Sequence, residues 1–177
     1  MIASQLKIIE QGISYLESVS KEDYTAIISP NFISSAGSHM RHIIDHYQAI
    51  ISGLENDLID YDVRERGSEL ELLPELAINK LNEITTWIKQ LTKDKLNTLI
   101  TLATEVSVSD QNIQYVETSV ARELVFASSH AVHHYAMIAQ ISFAQQNTSP
   151  QSFGLAPATA TFLRQTSKPT HIKPKDC

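Results

Sequence analysis

Thiol chemistry has almost no foothold in this sequence: its one cysteine is Cys177, the final residue. No internal disulfide can form, and a terminal thiol alone is a poor candidate nucleophile. A basic excess is lacking too. The net charge is −6, which argues against a general nucleic-acid binder built on phosphate contacts. There is no apolar run of about 20 residues, so no membrane span is expected. The opening "MIASQLKIIEQG" lacks a charged-then-apolar signal pattern and a cleavage site, so the expected location is the cytoplasm. No Gly-rich phosphate loop and no GxSxG elbow occur. "HAVHH" has HxxxH spacing but carries Ala131 where a zinc protease needs a glutamate base. Glu83 and Glu123 lack the histidine three residues on that a di-iron carboxylate site requires.

What is present is the material of one helical domain. The 177 residues are 42% hydrophobic, enough for a sizeable core. Apolar residues recur at three and four in Ile2, Leu6, Ile9, Ile13 and Leu16, which predicts a first helix over about 2–19. Pro30 ends that pattern. Ser34 or Ser35 can cap a second helix running to about 54. A polar stretch follows, and a third helix is expected over about 69–92 with Pro74 near its first turn. "TLITLATEVSV" is rich in Thr, Val and Ile and reads as a short strand or hairpin. Thr118 or Ser119 then caps a fourth helix to about 146. The expected fold is all-α: a four-helix bundle with long connections over 1–150, with the short β-hairpin before its last helix. The Pro-rich segment 151–177 is expected to be an irregular tail, with Phe153, Leu155 and Phe162 able to pin part of it.

Histidine is where the sequence departs from the ordinary. Six of the seven histidines fall in 39–46 and 130–134, where random placement would put about half of one. At about 100° per residue, His39, His42 and His46 share one helix face, and His130 and His134 lie about 40° apart, one turn from each other. His133 falls toward the flank. Both clusters border apolar stripes, and burying several imidazoles there is costly unless each has a partner. A shared metal ion supplies one partner for several rings, and Zn, Ni and Fe all accept neutral imidazole. Two plainer arrangements stand beside it: a polar seam of hydrogen-bonded histidines, and a solvated histidine face. His171 lies in the Pro/Lys tail and reads as a surface residue.

The blocks "RHIIDH" and "SHAVHHYAMI" together resemble the DinB/YfiT-like superfamily of metal-binding four-helix proteins. Its pattern has a histidine early in the second helix, followed by two apolar residues and Asp, and an HxxxH pair in the last helix. "SSAGSHMRHIIDHYQ", "ARELVFASSH" and "FGLAPAT" are similar to one subgroup, so the likeness runs from about residue 5 to 160. The resemblance implies a divalent-metal triad of His42, His130 and His134. His46, His39 and His133 exceed the pattern and are additional candidates, with His46 the first substitute for His42. It further implies Asp45 or Tyr135 as an orienting partner of the ligands, and often a homodimer. For activity it implies a metal-dependent thiol S-transferase, in which a small thiol at the open metal position loses its proton and attacks an electrophile. A hydrolase-like enzyme and a non-catalytic metal-binding or stress-response protein are the other classes it leaves open.

Overall fold

A computed structural model describes residues 1–166. His171, Cys177 and the end of the expected tail lie outside the described residues. Four long helices carry the core: α1 (Ile2–Ser18), α3 (Ala36–Asn56), α4 (Pro74–Lys89) and α6 (Val120–Ala144). Between them come the short helices α2 (Lys21–Thr25) and α5 (Lys93–Leu96). The long helices touch in a cycle: α1 meets α4 and α6, and α3 meets the same two. The inward faces are apolar, with Ile9, Met40, Ile44, Leu81, Leu124 and Ile138 fully buried. No helix among the described residues is long and apolar enough to cross a membrane.

Local chemistry sets the helix ends. Ser35, rather than Ser34, caps α3 by accepting the Ser38 N–H at 3.1 Å. Ser119 caps α6 by accepting the Arg122 N–H at 3.3 Å. Pro74 opens α4 where its missing N–H costs nothing, and residues 69–71 form only a 3-10 turn before it. The expected third helix is therefore shorter at its start.

The all-α expectation needs one correction, because the chain also builds a three-stranded sheet. The hairpin is present as β2 (Leu99–Glu105) antiparallel to β3 (Ile113–Ser119), with Leu102 opposite Val116. A third strand, β1 (Leu58–Asp60), pairs parallel to β2. It was invisible in sequence because three residues inside a polar stretch carry no period. Its Ile59 is fully buried against Gly53 of α3, where a Cβ would collide with Ile59.

The tail differs from expectation as well. Residues 157–166 form a helix, α7 (Pro157–Thr166), started by proline and continued by alanines. Phe153 pins the approach to it, stacked between Tyr15 at 5.2 Å and Tyr135 at 5.0 Å. Gly154 has φ 71° and lies against the backbone of Ala136. Any Cβ there meets main chain, which cannot swing away. Gly154→Ala is expected to cost at least the roughly 1–2 kcal/mol of a left-handed non-glycine residue. A lowered denaturant midpoint with unchanged slope checks this.

Candidate metal centre

The packing of α3 on α6 brings the two histidine blocks together. His130 Nε2 lies 3.0 Å from His42 Nε2 and 3.0 Å from His134 Nε2. A ring nitrogen has one in-plane position, holding either a proton or a lone pair. It can therefore make one good hydrogen bond, not two, so His130 Nε2 cannot be satisfied by both of these neighbours through protons alone. Their rings stand edge to face: His42 to His130 at 74°, His42 to His134 at 82°, His130 to His134 at 69°. Ring planes so crossed can share a point. An ion bound tetrahedrally at about 2.0–2.1 Å from each nitrogen would set the nitrogens about 3.3 Å apart. The two separations at His130 are close to that, and the three histidines whose ligand nitrogens all lie within 4.8 Å of one another are His42, His46 and His130. His42, His130 and His134 are all partly exposed.

His46 also comes close. Candidate ligand nitrogens of His42, His46 and His130 all lie within 4.8 Å of one another. His46 is oriented differently, however. Its ring lies nearly parallel to His130, with centroids 4.2 Å apart and planes 26° apart. Planes so nearly parallel meet far from either ring, so both cannot aim in-plane lone pairs at one ion without rotating. The His46 Nδ1–H donates to the His42 carbonyl at 3.0 Å, and the ring is buried between Tyr61 and His130.

His39 meets the cluster from the other side. Its Nδ1 is 2.8 Å from His134 Nδ1. If His134 uses Nε2 as a ligand, its Nδ1–H can donate to His39, a partner that fixes tautomer and ring angle. His133 is exposed, edge-on to His134 at 5.5 Å. It lines a separate groove of about 910 Å³ between α1, α6 and the C-terminal segment.

Neither expected orienting residue bonds a histidine. Asp45 accepts from Arg41 Nη1 at 2.6 Å, because that guanidinium is one helical turn away. Tyr135 lies on the buried face of α6, its hydroxyl against Gly12. Residues not expected at the site surround it. Tyr61 stacks on His46 at 4.8 Å and donates its hydroxyl to Glu123 at 2.7 Å. Glu123 is fully buried and also accepts from Thr118 at 2.6 Å and Arg122 at 2.9 Å. Phe126 stacks on His130 at 5.7 Å. Glu123 and Phe126 sit within "ARELVFASSH", so α6 periodicity could have found them; Tyr61, in a polar linker, offered no signal.

Burial drives the histidines toward neutrality, and neighbouring rings and arginines reinforce it. His42 is lowered to about 2, His134 to about 3 and His46 to about 4, while His130 and His39 are also lowered. Neutral rings are what a metal needs. The sign for stability follows. Below the ordinary value of 6.5, unfolded imidazoles take up protons that the folded rings refuse. Metal-free protein is expected to lose stability as pH falls from 6.5 toward about 4. Denaturation midpoints across that window check it; a His42→Gln, His46→Gln double variant should flatten the slope.

No family model matches the chain. A Rhizopus delemar protein described as FK506-binding protein 5 is 32% identical over 108 residues, covering 61% of this chain. The chain spans 28% of that relative's length. The crystal structure of a DinB-like protein, YjoA of Bacillus subtilis, superposes with a TM-score of 0.58 at 17% identity. The match covers 86% of this chain and 96% of that one. The chain has the DinB-like fold. In this fold the crossed histidines lie where the second and last long helices, α3 and α6, pack together.

Proposed function

We propose that this is a divalent-metal-binding protein whose ion is held by His42, His130 and His134, with Zn, Ni or Fe the fitting metals. The observation that carries this is the approach of two Nε2 atoms, from His42 and His134, to His130 Nε2 at 3.0 Å each, which hydrogen bonds cannot satisfy together. His39 and His46 are positioning residues, the first through His134 and the second through the α3 backbone. His133 is no ligand in this reading. The cyclic packing of the long helices supports a four-helix bundle over 1–150 as the scaffold.

Such an ion lowers the pKa of a thiol or water that coordinates it. The chain's own residues keep the ligands neutral, dry on the protein side and exposed on the other. That suits metal-dependent thiol S-transfer to a small electrophile, with a small thiol and the electrophile as partners. Net charge −6 favours small molecules over nucleic acid, and a cytoplasmic homodimer fits the same reading.

A second reading, a metal-binding protein without catalysis, draws on a specific observation. Three carboxylates of the surrounding helices are engaged: Asp45 and Glu71 by Arg41, Glu123 by Tyr61, Thr118 and Arg122. None of these three is left as a general base.

Metal quantification after expression in metal-replete medium tests the centre, on the wild type and on alanine variants of the six clustered histidines. One ion per chain, lost in the variants at 42, 130 and 134, supports it; metal-free wild type refutes it. Thiol conjugation assays on loaded protein then separate the two readings.

A further inference from the structure

Arg64 stands beside the histidine centre with its charge met only by a long ion pair to Asp62 at 3.8 Å. Its Nε donates to the Tyr61 carbonyl at 3.1 Å, and the Tyr61 ring stacks on His46. The same arginine is thus tied to the residue that forms one wall of the cluster. Its other nitrogens have no hydrogen-bond partner among the described residues. The nearest carboxylate, Asp62, is 3.8 Å from Nη2, too long for a hydrogen bond. Asp62 is itself held by the Glu105 N–H at 2.6 Å, which ties it to the sheet. The Arg64 side chain is 30% exposed, so a solute can reach it. Its positive charge acts on His42, His46 and His130. The other arginine of this region, Arg41, is committed at short range to Asp45 and Glu71.

A guanidinium held only by a long, partly exposed ion pair, next to a partly exposed ligand cluster, is a recognition element for an anion. Its planar fork matches a carboxylate or another oxyanion, and such charge-assisted bonds are among the strong ones. We propose that Arg64 receives the anionic arm of the small molecule whose other end takes the open metal position, so that the preferred co-ligand is an anionic thiol. This rests on the metal reading above and names the substrate class for the same site.

Zinc-loaded protein titrated calorimetrically with mercaptoacetate, mercaptopropionate and neutral mercaptoethanol tests it, with zinc content measured before and after. All three offer the same sulfur donor and differ in the arm. The wild type is expected to bind one of the anionic thiols about tenfold more tightly than mercaptoethanol. Arg64→Gln should erase that preference, leaving mercaptoethanol affinity and zinc content unchanged, and Arg64→Lys should keep part of it. Equal affinities in the wild type, no binding of any thiol, or a preference that survives Arg64→Gln overturns the inference while retained zinc leaves the metal reading standing. Wild type that takes up no zinc overturns both. If Arg64→Gln fails to fold, the wild-type comparison and Arg64→Lys decide.

Discussion

His130→Ala is expected to empty the metal site while leaving the fold intact. His130 is the hub: its Nε2 is the atom that both His42 Nε2 and His134 Nε2 approach, each at 3.0 Å. Removing it leaves two nitrogens with nothing between them. Loss of an outer orienting partner alone costs roughly 10–100-fold in metal affinity, so loss of this ligand should exceed about 100-fold. The ring is partly exposed, so its removal opens no sealed cavity. Thermal unfolding of the metal-free variant should stay close to that of metal-free wild type. In wild type, added zinc should raise the transition through binding to the folded state, and in the variant it should not. Competition with a chromogenic chelator gives the affinities. His46→Ala is the contrasting case: with its ring stacked rather than aimed, it should lose less metal than His130→Ala. An equal loss would shift the third ligand from His134 to His46.

Arg41→Leu should produce the largest loss of stability. Arg41 is buried on α3 and bridges Asp45 at 2.6 Å and Glu71 at 3.0 Å. Glu71 also accepts from Ser38 at 2.8 Å and the Gly67 N–H at 2.9 Å, so the network joins α3 to the segment before α4. Removing the cation leaves Asp45 buried and uncompensated, which costs about 3–5 kcal/mol. Two checks separate this from simple loss of packing. Asp45→Asn in the Arg41→Leu background should recover part of the loss, since it removes the stranded charge. The gap to wild type should also narrow in acid. Burial already raises the Asp45 pKa against the pull of Arg41. Without Arg41 the carboxyl protonates more readily still, and protonation cancels the penalty as pH falls. A gap that stays constant with pH would point to packing instead.

Much of the scaffold was legible in the sequence because helices are coded locally. Apolar residues at three and four marked α1, α3, α4 and α6, and the pairs Ser34/Ser35 and Thr118/Ser119 marked where two of them start, the second member of each pair being the cap. The helix periodicity of α1 was legible, though its buried face is turned slightly, with Gln5, Gly12 and Tyr15 inside beside Ile9 and Leu16. The elements missed are those held by distant partners. β1 exists because β2 offers it hydrogen bonds and Gly53 gives it room. Phe153 and Gly154 are seated by rings and backbone from α1 and α6, which no local pattern announces.

The sequence by itself determined that six histidines occupy two helix faces, since residue spacing on a helix fixes angle. It could not choose among them. His42 and His46 are one turn apart on the same face, and nothing local distinguishes their rings. The tertiary structure sets them apart by orientation, through the way α3 packs on α6: that packing turns His42 edge-on to His130 and lays His46 flat against it. It also brought Tyr61 and Arg64, from a polar linker, to the wall of the cluster. Ring orientation and the Arg64 charge beside it depend on which surfaces meet, and that is a property of the folded chain rather than of any one segment.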